Sequence, residues 1–145
     1  RGLGDVYKRQ GYDRVVAVTD SIMAAGLPDG NYKLGVNDVV VEDGDAKLAS
    51  NGVRAGSTLT TGQALKNLVK FTGESVERVL PLLTANPARL VGLSYRKGSI
   101  APGKDADLVL CRGNVMDVES EIQCVLIEGC AVPGLPLCPR GGEKN

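Results

Sequence analysis

The sequence predicts an α/β fold, and three observations carry that prediction. Residues 15–18 form a short continuous run of valine and alanine, which is typical of a parallel strand buried on both faces. Residues 60–90 carry two apolar patterns of helical period, and the remainder is dominated by strand patterns. A lone buried parallel strand cannot form a sheet, so this order of elements indicates the end of a larger structure.

Turn signals organise the segment after the first predicted strand. The sequence Pro28-Asp29-Gly30 predicts a turn, because proline presets φ and glycine supplies a positive φ. Asp43-Gly44 lies between the apolar runs 39–42 and 46–48, which predicts a β-hairpin. A loop of small residues at 51–58 follows the hairpin.

The first predicted helix follows this loop. Thr60 or Thr61 is expected to cap its N-terminus, and Gly73 is expected to end it. Its apolar stripe consists of residues at helical spacing, namely Ala64, Leu65, Leu68 and Val69.

A second helix and a β module complete the predicted elements. Ser75 is expected to cap this helix, Pro81 to kink it, and the Asn86-Pro87 pair to end or break it. The remaining apolar runs predict three strands, at residues 106–110, 125–129 and 131–132.

Composition excludes several functional classes. The 145 residues include no histidine, so Ser-His-Asp, Cys-His, HExxH and Cys2His2 chemistry cannot be built from this chain. The formal net charge is zero, which predicts no nucleic-acid or membrane partner, and no apolar run is long enough for a membrane span. Four cysteines without CxxC spacing favour reduced thiols in a cytoplasmic protein, with no metal site in this chain.

Two places could carry chemistry. Asp20 follows the first predicted strand, and α/β barrels place their active sites at the carboxyl ends of their strands. The alternative is that Asp20 only starts a turn or caps a helix. The loop that begins with Arg54, Ala55 and Gly56 could present backbone N–H groups to an anion or a sugar oxygen, or it could be an ordinary connection. The charged turn at 104–107 is expected to be solvated.

These residues carry a resemblance to a known family. Thr19-Asp20 with the run before it resembles the last barrel strand of the amidohydrolase superfamily, and the sequence GSIAPGKDADLVL at 98–110 resembles that superfamily's return to its small β domain. Dihydroorotases, allantoinases and deaminases share the second motif. Ala25-Gly26, the hairpin, and the sequences at 55–60 and 84–89 make residues 11–132 similar to the N-acetylglucosamine-6-phosphate deacetylase family.

The resemblance implies an architecture. The chain would be the C-terminal part of a (β/α)8 metal-dependent hydrolase barrel with strands of a small β-sandwich domain. Residues 11–93 would hold the last barrel strand, the hairpin insertion and the terminal helices, and residues 94–133 the end of the β domain. Residues 1–10 are interpreted as a non-native leader, and residues 134–145 as a flexible tail.

The resemblance also implies a reaction. The family hydrolyses the acetamide of N-acetylglucosamine 6-phosphate to glucosamine 6-phosphate and acetate, a step of amino-sugar metabolism. Asp20 would be the general acid/base that accepts a proton from water and gives one to the departing amine. The backbone at Arg54, Ala55 and Gly56 would contact the sugar. The family more often has an apolar residue at position 54, and a backbone contact tolerates that change.

Cofactor and partner predictions follow from the same resemblance. The family's metal ligands, a glutamate and two histidines, lie upstream of the aspartate strand and are not present in this chain. The full-length parent is therefore expected to bind a divalent metal, zinc or a similar ion, whereas this fragment would bind none and be inactive alone. The expected partner is a small-molecule amino-sugar phosphate, and the full-length protein is expected to be a cytoplasmic homo-oligomer.

Two alternatives remain open. The chain could belong to another amidohydrolase, dihydroorotase-like or deaminase-like, although the hairpin between Asp20 and the loop at 55–58 argues against this. It could instead be a non-catalytic α+β binding module that is complete as it stands.

Overall fold

The chain forms two compact units that combine helices and sheets. The computed structural model describes residues 11–114, 116 and 121–133. The first unit ends at Asn86 and the second begins at Pro87, earlier than the predicted boundary after residue 93. The α/β class is confirmed, whereas the assignment of the two segments to a barrel and a small β domain stays a prediction. The predicted leader and tail lie outside the described residues, as does Cys138.

An antiparallel three-stranded sheet forms the centre of the first unit. Its strands are β1 (Gly30–Leu34), β2 (Asn37–Glu42) and β3 (Asp45–Leu48), in that order. Asp43 and Gly44 have φ values of 51° and 73°, as a type I′ turn requires, so the predicted hairpin is confirmed. Strand β1 was not predicted, because its residues carry little apolar alternation.

The core of this unit lies on one face of the sheet. Alternate residues of β2 point inward, and small residues from neighbouring segments pack against them. The buried members of this cluster are Ala24, Val39, Val41, Ala46 and Ala55. The small side chains of Ala24 and Ala55 let the segments that carry them approach the sheet closely.

Helix α1 (Thr61–Thr72) has the ends that its sequence predicts. The Thr60 hydroxyl oxygen accepts a hydrogen bond from the Gln63 amide at 3.2 Å, which satisfies one of the free N–H groups at the helix start. Gly73 has a φ of 71°, and its amide donates to the Val69 carbonyl at 2.9 Å. A left-handed residue at this position favours glycine, so both cap predictions are confirmed.

The second predicted helix is short. Helix α2 (Val76–Val79) gives way to a 3₁₀ turn at Leu80–Leu82, where Pro81 interrupts the α-helical pattern as predicted. Ser75 occupies the N-cap position of this helix as predicted, but its side chain makes no capping hydrogen bond. Its hydroxyl hydrogen bonds instead with Glu77 and lowers the pKa of that carboxyl.

Helix α3 (Ala85–Leu90) contradicts the predicted break at the Asn86-Pro87 pair. Proline is tolerated in the first turn of a helix, where its missing N–H would have had no intrahelical acceptor. The same proline therefore lies inside the first turn of α3.

Among the described residues, no helix combines the length and the apolar character that crossing a membrane would require.

The predicted buried strand at residues 15–18 is wrong. The structure has no β-ladder there, and the Val18 side chain is 78% exposed. Side chains and a turn hold this extended segment instead. The Asn86 amide group donates to the carbonyls of Tyr12 and Val15 at 2.7 and 2.6 Å, and the Ala17 amide donates to the Leu82 carbonyl at 2.9 Å.

A second antiparallel sheet belongs to the second unit. Its strands are β4 (Leu108–Arg112), β5 (Glu121–Ile127) and β6 (Cys130–Ala131), in that order, with Cys124 fully buried. The three predicted strands are present with shifted ends. Glu128 and Gly129, with φ values of 49° and 76°, form the turn between β5 and β6.

Ion pairs hold the turn at residues 104–107, which was expected only to be solvated. Asp105 Oδ2 lies 2.8 Å from Arg96 Nη2 and 2.9 Å from Lys97 Nζ. Lys97 also pairs with Asp107, whose second oxygen accepts a hydrogen bond from the Glu128 amide at 2.9 Å. The expectation was wrong because these charges have partners in the preceding loop and in the β5–β6 turn. Hydrogen bonds from Lys97 and Arg96 lower the pKa of Asp105.

Asn86→Ala is expected to lower the free energy of unfolding by about 1–3 kcal/mol, because the Val15 carbonyl loses the amide donor of Asn86 and the Tyr12 carbonyl keeps only the Val15 amide. Asn86 is only 4% exposed, so water cannot easily replace its amide group. Urea denaturation of both proteins measures the difference. Asn31→Ala, at an exposed position on β1, is the control and should change stability by less than about 0.5 kcal/mol. Equal losses in the two variants would contradict the role given to Asn86.

Asp105→Asn is expected to destabilise the protein at neutral pH and to lose this effect in acid. The folded-state pKa of Asp105 lies below its ordinary value of 3.8, so its charge stabilises the fold above that pH. The stabilisation declines as the pH falls below 3.8 and through the folded-state pKa. Thermal denaturation of wild type and variant across this range measures the difference. A gap between the proteins that is unchanged in acid would contradict the ion-pair assignment.

Candidate functional site

A single parallel bridge joins the segment around Asp20 to the loop before α1. Ser21 and Ser57 are its paired residues. The Ser57 amide donates to the Asp20 carbonyl at 2.8 Å, and the Ile22 amide donates to the Ser57 carbonyl at 2.9 Å. The bridge brings the first candidate residue, Asp20, next to the second candidate segment.

Two serine hydroxyls extend this pairing where the backbone ladder stops. The Ser57 hydroxyl donates to the Thr19 carbonyl, and the Ser21 hydroxyl donates to the Leu59 carbonyl. The Leu59 amide donates to the Ser57 hydroxyl oxygen at 3.2 Å. Each serine thus satisfies a carbonyl on the opposite segment, which fixes the two segments over a longer stretch than one bridge would.

Gly56 makes the close approach possible. Its φ of 70° lies in the left-handed region, which favours glycine. A Cβ atom at this position would lie 2.8 Å from the Asp20 carbonyl oxygen and 2.8 Å from Ile22 Cγ2. Both contacts are shorter than real Cβ atoms make, so a side chain here would force the two segments apart.

Asp20 presents an available carboxylate beside this glycine. Its φ of 52° is unusual for a residue with a side chain. The residue is exposed, and its carboxylate makes no hydrogen bond or ion pair with the described residues. Asp20 Oδ2 lies 3.8 Å from the position of a Cβ on Gly56. The carboxylate is therefore exposed and has no partner among the described residues.

Two of the predicted sugar-contact residues, Arg54 and Ala55, already have partners within the hairpin. Arg54 Nη2 lies 3.0 Å from Asp45 Oδ1, and the arginine side chain is 73% exposed. Ala55 is buried, and its amide donates to the Ala46 carbonyl at 2.9 Å. The amide of Ala55 is thus already used by the hairpin. The predicted contacts of Arg54, Ala55 and Gly56 with a sugar stay predictions.

A cleft of about 380 Å³ lies beside this region, at the N-terminal end of α1. Its lining comes from the turn before β1, the β2–β3 hairpin, the segment before α1 and the first turn of α1, namely Gly26, Leu27, Val41, Gly44, Thr58, Leu59, Thr60 and Gln63. Neither Asp20 nor the predicted sugar-contact residues line it. The cleft therefore does not mark the candidate site, which is defined by the exposed carboxylate and the glycine beside it.

The described ranges contain no group of three or more histidine, cysteine, aspartate or glutamate side chains that could hold a metal ion. Asp20 is a single carboxylate, whereas divalent cations in proteins are held by several such ligands. The residues described here thus do not fit a metal site by themselves. The chemistry that they can supply is proton transfer at one carboxylate.

The sequence interpretation missed the roles of Ser21 and Ser57. Both are small polar residues in loops, where serine hydroxyls commonly hydrogen bond to nearby backbone groups. Their positions, one directly after the candidate aspartate and one directly after Gly56, were the available signal. Sequence spacing alone does not show that the two loops meet.

Comparison with known proteins identifies relatives across most of the chain. The sequence model described as the amidohydrolase family matches residues 15–132. The chain is 36% identical over 117 residues to an N-acetylgalactosamine-6-phosphate deacetylase of Escherichia coli O157:H7, covering 81% of this chain and 29% of that protein. It is 35% identical over 123 residues to an N-acetylglucosamine-6-phosphate deacetylase of Bacillus subtilis, covering 77% and 31%.

Solved structures give the same result. The N-acetylglucosamine-6-phosphate deacetylase of Thermotoga maritima matches with a TM-score of 0.72 and 40% identity, over 88% of this chain and 33% of that chain. An aspartate-to-alanine mutant of the Mycobacterium smegmatis enzyme, in complex with N-acetyl-D-glucosamine-6-phosphate, matches with a TM-score of 0.69 and 29% identity, over 88% and 33%. The chain spans about a third of the length of these relatives.

Gly56→Ala is expected to destabilise the protein by more than Gly52→Ala. Both glycines have a φ of 70°, so both variants pay the cost of a left-handed side chain, about 1–2 kcal/mol. Only at Gly56 does the added Cβ also meet the Asp20 carbonyl, because Gly52 has open space within 4 Å. Urea denaturation measures the two losses. Losses of the same size would mean that the close approach at Gly56 is not needed.

Proposed function

Because this chain belongs to the amidohydrolase family, we propose that its gene product is a hydrolase that deacetylates N-acetylglucosamine 6-phosphate. The products would be glucosamine 6-phosphate and acetate. The observation that carries the proposal is similarity at 35–40% identity, over most of the chain, to proteins named as deacetylases of N-acetylated amino-sugar 6-phosphates. The chain covers only part of each relative, so the activity belongs to the proposal for the complete protein.

Asp20 is the proposed general acid/base. A C–O bond forms between water and the acetamide carbonyl carbon, and Asp20 accepts the proton that the water loses. The C–N bond then breaks, and Asp20 returns the proton to the departing amine. A carboxylate with no partner among the described residues supports this role, because proton transfer needs a group within hydrogen-bond reach of the substrate.

The backbone at Arg54, Ala55 and Gly56 is the proposed contact with the sugar. Gly56 adjoins Asp20, so a sugar bound along this backbone would place its acetamide near the carboxylate. The Ala55 amide already has an acceptor, so we assign the proposed contacts to the remaining backbone groups of this segment. The Arg54 side chain is engaged with Asp45 and is not part of the proposal.

The wider setting is also a proposal. Members of the amidohydrolase family generally depend on metal ions, and the complete protein is proposed to bind a divalent ion, zinc or a similar metal. The ion would help water to ionise near neutral pH. The two units are proposed to be parts of a (β/α)8 barrel and a small β-sandwich domain, in a cytoplasmic homo-oligomer. The 145-residue chain alone is proposed to be inactive.

A second substrate has specific support. The Escherichia coli relative is named for N-acetylgalactosamine 6-phosphate, which differs from the glucosamine compound in the configuration of one hydroxyl group. Both sugars present the same acetamide, and the proposed role of Asp20 serves either one. Assaying the complete gene product on both sugars, on a cyclic amide and on an aminated base separates these substrates from dihydroorotase-like and deaminase-like activities.

Asp20→Asn in the complete gene product is expected to lower kcat for deacetylation by about 10²–10⁴-fold, because asparagine cannot transfer the proton. Acetate release measures the rate. Asp43→Asn is the matched control, since Asp43 is exposed and has nearly the same φ, 51° against 52°. The control removes a carboxylate from the same backbone conformation and should leave kcat within about twofold. Full activity of Asp20→Asn would refute the assigned role.

A further inference from the structure

We propose that Ser57 is a positioning residue, whose hydroxyl and backbone groups fix the direction in which Asp20 presents its carboxylate. The inference rests on the proposed function, because it concerns the residue assigned there as the acid/base. It adds a residue that does not touch the substrate and that acts through the conformation of Asp20.

Ser57 forms hydrogen bonds with the backbone on both sides of Asp20. Its hydroxyl donates to the Thr19 carbonyl, its amide donates to the Asp20 carbonyl at 2.8 Å, and its carbonyl accepts from the Ile22 amide at 2.9 Å. One residue thus holds the peptide groups before and after Asp20. Rotation of either peptide group would redirect the Asp20 Cα–Cβ bond.

Asp20 depends on this external support because its own side chain supplies none. The carboxylate has no partner among the described residues, so the Cα–Cβ bond, whose direction the backbone sets, is the part of the side chain that contacts hold in place. That backbone has a positive φ, which a residue with a side chain adopts only when its surroundings impose it. The hydrogen bonds from Ser57 are the contacts that impose it.

The Ser57 hydroxyl bonds the opposite segment at the place where the backbone ladder stops. In a parallel ladder, the residue two before Ser57 would donate to the segment that precedes Asp20. That residue is Ala55, and its amide is bonded to the Ala46 carbonyl of β3. The backbone pairing therefore stops after one rung, and beyond it the Ser57 hydroxyl donates to the Thr19 carbonyl.

The test compares kcat and KM of the complete gene product. Ser57→Ala is expected to lower kcat by about 10–100-fold with KM within about threefold, because small misplacement of a catalytic group slows the chemical step. Ser57→Thr retains the hydroxyl and should restore kcat to within about threefold of wild type. If Ser57→Ala does not fold, Ser57→Thr and Ser57→Val, which have similar shapes and differ in the hydroxyl, make the same comparison.

Thr72→Val is the matched control. The Thr72 hydroxyl also donates to a carbonyl, that of Leu68, and also accepts from the amide two residues later, that of Glu74. It lies at the end of α1 and does not contact the Asp20 segment. The two variants should lose similar stability in urea denaturation, but only Ser57→Ala should lose kcat.

The outcomes separate the inference from the proposed function. An active wild type with a Ser57→Ala kcat within twofold of it overturns the positioning role alone. An equal loss of kcat in Thr72→Val also overturns it, because the effect would then be general destabilisation. A wild type without activity on any of the substrates overturns both the function and the inference.

Discussion

The close contact between Gly56 and the Asp20 backbone is the constraint on which the first unit depends. A residue without a Cβ lets the loop approach within hydrogen-bond distance, and the Ser21–Ser57 bridge then forms. The loop carries Ala55 into the core of the sheet on one side and leads into α1 on the other. The positions of the sheet, the helix and the candidate carboxylate therefore all depend on the contact between this loop and the Asp20 backbone.

Side chains, rather than continuous ladders, fasten the extended segment that leads to this point. Asn86 bonds the Val15 carbonyl in this segment and the Tyr12 carbonyl in the 3₁₀ turn before it, and the Ser57 hydroxyl bonds the Thr19 carbonyl. Asp29 has the same role at the β2–β3 turn, where its carboxylate accepts hydrogen bonds from the amides of Asp43 and Gly44. Buried or turn backbone groups need partners, and short polar side chains supply them here without adding a strand.

Local signals predicted the elements that local chemistry determines. The Asp43-Gly44 turn and the caps of α1 depend on neighbouring residues, so the sequence was sufficient for them. The strand predicted at residues 15–18 failed because a strand requires a partner with free backbone groups, and apolar composition does not show whether one is present. The break predicted at Pro87 failed because its consequence depends on where the helix begins, which the sequence leaves open.

The sequence indicates individual residues of the candidate site but not that they lie close together. Asp20 could be selected from its position after an apolar run, and Gly56 from its place in a loop of small residues. Their proximity, and the part played by Ser57, depend on two loops that are far apart in the chain. Contacts of this kind arise from tertiary packing and have no signature in spacing.

The two turns of the first sheet differ in how much change in chain length they can accept. The β2–β3 turn is held from two directions, by the Asp29 carboxylate and by the Thr58 hydroxyl on the Gly44 carbonyl. An insertion there would pull the anchoring residues apart and disturb the segment that carries Ser57. The β1–β2 turn has open space around Gly35, and Val36 is 94% exposed. Insertions in related proteins should therefore accumulate at the β1–β2 turn, which is also the suitable place to attach a label.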